Sequence, residues 1–340
     1  MDSSLISDIK PAEGIDNQAI CPVGRFAPSP TGRMHLGNVF SAVISWLSVK
    51  SRGGKWILRI EDLDPQRSKS EYARQIEDDL QWLGLTWDEG GVDDLGDNGP
   101  YCQSRRDSIY REFLERLKDT GLTYACTCTR ADIMATQAPH QSDGRVVYQG
   151  TCRPAVLTPG VRTAEPERPH ATRLYVPDEE ITFTDRVFGA QRCNLVNECG
   201  DFVLQRADGA WAYQLAVVVD DALMGVTEVV RGADLLLSTA QQLYLYHLLG
   251  FDAPDYFHVP LVCNEHCQRL SKRDASLSLA ELRRSHSADE IIGFVAYLAN
   301  LIPTYRPCSL NDLITTFNSD LIPRQETVCI DKLPELKTTM

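Results

Sequence analysis

Apolar positions along the chain change period several times, and the changes outline its elements. From Val23 a short strand is read through Phe26, leading into the Pro- and Gly-rich turn Pro28-Ser29-Pro30-Thr31-Gly32. Leu36, Val39, Phe40, Val43, Ile44 and Leu47 then recur at steps of three and four, one face of a helix, until Gly53-Gly54 ends the pattern. Trp56 to Ile60 reads as the next strand. A strand, a crossover helix and a second strand imply a parallel sheet. Two more helical faces follow: Tyr72, Ile76, Leu80 and Leu83 up to Gly84, then Ile109, Phe113 and Leu117 up to Gly121, with Ser104 as the candidate N-cap of the second. Between Asp88 and Asp97 the chain is acidic and Gly-rich, as expected of a solvated loop.

From residue 123 the long helical periods vanish, and cysteine, proline and arginine become frequent. Short alternating pieces, Thr182-Phe183-Thr184 and Phe202-Val203-Leu204, predict small antiparallel strands. Apolar density returns at Leu215 to Val219, read as a core strand, and a helix is expected from Ser238 to Gly250. Ser287 and Glu290 form a capping-box pattern before Ile291, Phe294, Leu298 and Leu301. The expected organisation is a flexible leader over 1–20, an α/β catalytic domain of Rossmann type whose first half covers 21–122, a small α+β insert over 123–210, the second half over 211–274, and a short, mainly helical C-terminal region over 275–340.

Composition narrows the function. Lys and Arg number 34 against 47 Asp and Glu, a net charge of −13, so the chain as a whole is not a nucleic-acid coat, although local basic patches still permit an RNA substrate. Eleven cysteines are an odd number in a long chain, which argues against a secreted disulfide scaffold. The acidic start from Met1 to Asp8 has no basic or apolar segment of the signal-peptide kind. Apolar runs such as Leu215 to Val219 fall well short of the ~20 residues that span a bilayer. A cytoplasmic protein with no membrane partner, acting as a monomer, is expected.

Three separated segments carry chemistry, and α/β folds gather such segments at the carboxyl ends of their strands. Gly24 to Asn38 makes a tight strand-to-helix turn, whose helix start would offer backbone N–H groups and a positive dipole end to phosphate. His35 stands there as a phosphate donor, and Gly37 lets a flat ring approach the backbone. Trp211-Ala212-Tyr213-Gln214, Asp220-Asp221 and Arg231-Gly232-Ala233-Asp234 mix a phenol, carboxylates and a guanidinium. Arg269-Leu270-Ser271-Lys272-Arg273 places three cations in one loop, suited to charge developing on a leaving phosphate.

These segments resemble the glutamyl branch of the class I aminoacyl-tRNA synthetases. His35-Leu36-Gly37-Asn38 matches the first signature of that class and Arg269 to Arg273 its lysine-serine signature. Arg25-Phe26-Ala27-Pro28-Ser29-Pro30-Thr31-Gly32, Arg59-Ile60-Glu61-Asp62-Leu63-Asp64 and Val230-Arg231-Gly232-Ala233-Asp234-Leu235-Leu236 bring the likeness to the glutamyl branch itself, over roughly residues 23–274. The resemblance implies L-glutamate held by Arg25, Ser29, Glu61, Tyr213 and Arg231, ATP held by His35, Gly37, Asn38 and Lys272 with Mg2+, and His35 and Lys272 as the catalytic pair. Two cations for the substrate carboxylates and one carboxylate for its ammonium make chemical sense, with both arginines suited to bidentate pairing. Residues 275–340 leave no room for a large anticodon-reading region. The chain is therefore similar to the truncated glutamyl-queuosine tRNA(Asp) synthetase family, which implies transfer of glutamate to the queuosine base at the wobble position of tRNA(Asp). The alternatives are a shortened glutamyl-tRNA synthetase charging tRNA(Glu) and a non-catalytic RNA-binding relic.

The insert contains a metal candidate. Cys126, Cys128 and Cys152 supply three corners of a tetrahedral zinc site, and chemistry alone suggests His140 as the fourth. The resemblance instead implies Tyr148, four positions before Cys152, and one structural zinc per chain. Arg105, Arg106, Arg145, Arg153, Arg162, Arg173, Arg283 and Arg284 are candidate RNA contacts. Cys263-Asn264-Glu265-His266-Cys267 has the look of a partial metal or redox motif but matches a metal-free turn of the resembled family.

Overall fold

The computed structural model describes residues 21–135, 147–264 and 277–330. The chain opens with β1 (Val23–Phe26), α1 (Leu36–Lys50), β2 (Lys55–Leu58), α2 (Ser70–Trp82), β3 (Glu89–Gly90) and α3 (Asp107–Asp119). The middle holds β4 (Thr123–Cys126), α4 (Arg130–Ala135), β5 (Ala171–Leu174), β6 (Glu180–Asp185), β7 (Gly189–Asn194), α5 (Leu195–Glu198) and β8 (Phe202–Gln205). The core resumes with α6 (Tyr213–Leu223), β9 (Glu228–Gly232), α7 (Leu236–Leu249) and β10 (Asp255–Val259). β11 (Leu261–Cys263), α8 (Leu279–Ser285), α9 (Ala288–Leu298), α10 (Leu310–Ile314) and β12 (Thr327–Cys329) complete it.

Seven strands form the central sheet in the order β3-β2-β1-β9-β10-β6-β7, parallel except for the β6–β7 pair. Helices cover both faces, as a doubly wound core requires. On one face α1 lies between the sheet and helices α8, α9 and α10, so Leu36, Phe40 and Ile44 are fully buried on a helix that is apolar nearly all round. Each such side chain contributes about 1.5–3 kcal/mol by leaving water. On the other face α3, α6 and α7 bury Tyr110, Leu215, Val218 and Leu245. Helix α7 stops at Gly250, whose φ of 70° a side-chain-bearing residue adopts only at a cost.

Several local expectations are corrected. Leu215 to Val219 is not a strand but the middle of α6, where every residue of the run is buried. A short apolar run fits either element equally well, and here both neighbouring faces are covered. Ser104 does not cap α3. It sits in a 3-10 turn, donating from its backbone N–H and Oγ to Asp62 at 2.8 and 2.6 Å, and α3 starts without a side-chain cap. The Ser287–Glu290 capping box does form.

The insert stretch divides its strands between two sheets. β4, β5 and β8 form a small antiparallel sheet. β6 and β7 instead extend the central sheet, with Asp185 opposite Tyr256 of β10. Asp201 ties the small sheet together: it accepts from Tyr124 Oη at 2.5 Å, from Arg153 Nε and Nη2 at 2.7 and 2.8 Å, and from the Val176 N–H at 2.9 Å.

Candidate active site

The first segment folds as a capped turn. His35 is the N-cap of α1; its Nδ1 accepts the Gly37 N–H at 3.2 Å while the Asn38 carboxamide oxygen accepts the His35 N–H at 3.1 Å. A Cβ on Gly37 would stand 3.1 Å from the imidazole, so the residue must be small for the ring to cap the helix. An accepting Nδ1 puts the proton on Nε2, which makes His35 a donor at that nitrogen. The expectation of open N–H groups at the helix start is corrected, because those of Gly37 and Asn38 are bound by the His35 ring and carbonyl. The helix dipole and the His35 ring remain for a phosphate.

The turn also positions the second segment. Pro28 O accepts the Glu61 N–H at 3.0 Å, which sets Glu61 beside the end of β1. Ser29 is exposed at the tip of the turn. Burial pushes the Glu61 carboxyl up to about 7, against the downward pull of Arg59 and Arg25. The Tyr213 phenol is pushed up by burial and by Glu61, while Arg231 and Arg25 pull it down, so these four groups share one electrostatic environment.

Arg25 is buried and donates from Nε to Asp221 Oδ1 at 3.2 Å and from Nη1 to Val230 O at 3.3 Å. Most of its guanidinium edge is left for a carboxylate. Arg231 differs. It donates from Nε to His258 Nε2 at 3.0 Å, from Nη1 to Gln242 Oε1 at 2.7 Å, and from Nη2 to Thr239 Oγ1 and Leu235 O at 2.8 and 3.3 Å. A guanidinium has five N–H donors, so four of them are committed within the protein and a bidentate grip by Arg231 is corrected to a single remaining N–H plus its charge. Lys272, with Arg269 and Ser271, lies outside the described residues.

The sequence pointed to Asp221 as a carboxylate of the second segment, but gave no role to Arg59, which shares it with Arg25, or to Asp185 and His258, which stand behind Arg231. Arg59 is fully buried and donates to Asp221 at 2.6 Å. Asp185 and His258 are also fully closed to solvent and hydrogen-bond at 2.7 Å. An isolated histidine or aspartate carries no pattern; only the strand order that brings the end of β6 beside β10, and the register that sets His258 across from Arg231, reveal them.

Residues 23–305 match the family model described as the catalytic domain of class I tRNA synthetases for E and Q. A glutamyl-Q tRNA(Asp) synthetase of Symbiobacterium thermophilum is 47% identical over 308 residues, which cover 89% of this chain and 94% of that one. Its counterpart in Nitratidesulfovibrio vulgaris is 45% identical over 317 residues, 92% of this chain and 98% of that one. The chain belongs to the glutamyl-Q tRNA(Asp) synthetase family. It is an ATP-dependent ligase of the class I synthetases. Among solved structures, a glutamate tRNA ligase from Elizabethkingia meningosepticum in complex with its amino acid superposes with a TM-score of 0.76 at 29% identity, over 90% of this chain and 66% of that one. The glutamate-tRNA synthetase of Elizabethkingia anophelis gives 0.78 at 29% identity, over 92% and 68%. This member of the glutamyl-Q family thus spans about two thirds of those chains.

The cysteine cluster of this family member has the chemistry of a zinc site. Sγ atoms of Cys126, Cys128 and Cys152 all lie within 4.8 Å of one another, and Cys128 and Cys152 approach to 3.4 Å. Tetrahedral thiolates about 2.3 Å from zinc stand about 3.8 Å apart, so the three fit. Tyr148 Oη lies 3.4 Å from Cys126 Sγ and 3.8 Å from Cys128 Sγ, under the guanidinium of Arg173 at 3.7 Å from its ring. His140 lies outside the described residues.

Most of the candidate RNA arginines are engaged within the protein. Arg106 is buried on Asp220 at 2.7 Å and Arg173 is buried against Tyr148, so these two are corrected to structural groups. Arg105, Arg153, Arg162, Arg283 and Arg284 pair with Asp94, Asp201, Asp119, Asp79 and Glu281. Arg145 lies outside the described residues, as do Glu265 to Cys267 of the cysteine-rich turn, whose Cys263 ends β11. Among the described residues no helix is long and apolar enough to cross a membrane.

Proposed function

We propose that the protein activates L-glutamate with ATP and transfers the glutamyl group to the queuosine base at the wobble position of tRNA(Asp). The observation that carries this reading is the 47% identity maintained over 94% of a glutamyl-Q tRNA(Asp) synthetase. A glutamate carboxylate oxygen attacks the ATP α-phosphorus and pyrophosphate leaves. A cyclopentene hydroxyl of queuosine then attacks the activated carbonyl, AMP leaves, and an ester remains.

In this reading Arg25 takes a substrate carboxylate on its uncommitted guanidinium edge, Arg231 adds charge and one N–H, and ionised Glu61 takes the α-ammonium. Tyr213 and Ser29 complete the hydrogen bonding. His35 donates from Nε2 to phosphate at the positive end of α1, Gly37 and Asn38 shape the nucleotide seat, and Lys272 meets the charge on departing pyrophosphate, while Mg2+ accompanies the ATP. No residue acts as a nucleophile; the catalytic contribution is alignment and charge stabilisation. Cys126, Cys128, Tyr148 and Cys152 would hold one structural zinc, which supplies a cross-link to the insert and leaves no ligand position open for substrate.

The test is a charging assay with labelled glutamate on queuosine-containing tRNA(Asp), the same tRNA with unmodified guanine, and tRNA(Glu). Label should appear only on the first, survive removal of the 3′ terminal adenosine, and be released by mild alkali. Label on the terminal ribose of tRNA(Glu), with the first substrate inert, would establish the shortened glutamyl-tRNA synthetase instead. RNA binding without glutamate-dependent exchange of pyrophosphate would establish the relic.

A further inference from the structure

Three neighbouring parallel strands end in one hydrogen-bonded chain of side chains. Asp185 closes β6, His258 lies near the end of β10, and Arg231 lies on β9 directly across from His258. Asp185 Oδ2 accepts the His258 ring Nδ1–H at 2.7 Å, and His258 Nε2 accepts Arg231 Nε–H at 3.0 Å. Asp185 and His258 are both fully buried, and Arg231 is nearly so.

The direction of the chain is fixed by its ends. A guanidinium only donates, so His258 Nε2 must be bare and the ring proton must sit on Nδ1. Asp185 enforces that tautomer, since its Oδ2 also accepts the His258 backbone N–H at 3.0 Å and its Oδ1 accepts the N–H groups of Val187 and Phe188, both at 2.9 Å. A carboxylate with four donors aimed at it stays ionised and has no proton to give. Burial holds the imidazole down at about 4, with Arg231 pushing the same way and Asp185 opposing, so the ring is neutral at neutral pH. A carboxylate and an imidazole are thus desolvated together to present one acceptor to one arginine.

We propose that His258, locked in its Nδ1–H tautomer by Asp185, is a positioning residue that sets the Arg231 guanidinium for the carboxylate of the amino-acid substrate. This rests on the reading of Arg231 as a glutamate ligand. With Nε held by His258 and Nη1 and Nη2 by Gln242, Thr239 and Leu235, the plane of the guanidinium is fixed and its one uncommitted N–H has a single direction. The side chain is thereby prepaid in entropy, and specificity for a carboxylate at that point becomes geometric as well as electrostatic.

Two substitutions separate positioning from packing. His258→Asn puts an amide near Nδ1, so the bond to Asp185 survives and the acceptor for Arg231 is lost. His258→Gln puts a carboxamide oxygen near Nε2, so the acceptor survives and the bond to Asp185 is lost. In glutamate-dependent pyrophosphate exchange by the full chain, His258→Asn should raise the glutamate KM by about 10- to 100-fold, leave the ATP KM alone, and be largely restored in His258→Gln. Equal effects of the two variants on both substrates, or a better performance by His258→Asn, would overturn the proposal while leaving the functional reading intact. Absence of exchange by the unaltered protein would remove that reading and this inference with it. Nitrogen NMR of the unaltered protein covers the case in which the variants do not fold: a bare Nε2 and a protonated Nδ1 on His258 support the chain, and a proton on Nε2 overturns it.

Discussion

Arg59 donates from Nη1 to Asp221 Oδ1 at 2.6 Å, with both side chains shut away from solvent. The same carboxylate accepts from Arg25 Nε, so one residue of α6 holds two guanidiniums, one from β1 and one just beyond β2. Its neighbour Asp220 accepts from Arg106, Gln103 and Tyr110 at 2.7 to 2.9 Å. Asp221 is held below the usual carboxylate range mainly by Arg59 and Arg25, which outweigh its burial. Asp221→Asn keeps the shape and removes the charge. Because one side of a buried pair is then left uncompensated, urea unfolding should show a loss of about 3–5 kcal/mol. An unchanged midpoint would mean that the pair contributes nothing to the fold.

Glu61 should give glutamate capture a pH limb. Its folded-state value of about 7 lies above the ordinary 4.5, so this group makes the fold less stable as pH rises from about 4.5 to about 7, and only above about 7 is it mostly ionised. A protonated carboxyl cannot pair with the α-ammonium. The kcat/KM for glutamate should therefore climb as pH rises through about 7 and level off, with no such limb in the ATP dependence. Glu61→Gln should be weak in glutamate use and flat across the same range. A limb that persists in Glu61→Gln belongs to another group.

The helix of the first segment was legible because its apolar positions from Leu36 to Leu47 keep one period over about three turns, whereas His35, read there only as a phosphate donor at the helix start, also caps the helix with its own ring. What local pattern does not encode is partnership. Thr182-Phe183-Thr184 alternates as a strand should, yet nothing in it says that β6 pairs with β10 rather than with the small sheet. Leu215 to Val219 is too short to show a period, and burial on both sides erased the polar positions that would have revealed a helix. Arg231 was recognisable as a candidate cation, but its donor count depends on Thr239, Gln242 and His258, up to 27 residues away in sequence.

That donor count gives Arg231→Lys a defined outcome. An ammonium has three donors on a flexible stem and cannot span His258, Gln242 and Thr239 in one plane while facing a substrate. Charge is kept, so ATP use should be unaffected, but the glutamate KM should rise substantially. Arg231→Ala should go further, costing about 2–5 kcal/mol in glutamate kcat/KM because a desolvated carboxylate loses its partner. Equal losses for ATP and glutamate in Arg231→Lys would point to a general distortion of β9 instead.

The cysteine cluster makes the most separable prediction. Three Sγ atoms and the Tyr148 oxygen already converge, so protein purified without chelators should carry about one zinc per chain. Cys152→Ser replaces a soft thiolate with a hydroxyl that is not ionised at neutral pH, and elemental analysis should show the metal lost or much reduced. Tyr148→Phe keeps three thiolates and should weaken binding less. If zinc persists in Tyr148→Phe at full strength but falls in His140→Ala, the fourth ligand is His140. The cluster packs with Tyr124 in a small apolar group apart from the two main cores, so its loss should loosen the β4–β5–β8 sheet without disturbing α1 or β9. Chelation should therefore reduce transfer of glutamate to RNA more than glutamate-dependent pyrophosphate exchange. Parallel loss of both activities would show that the insert supports the adenylate site directly, and metal-free protein with full transfer activity would remove zinc from the account.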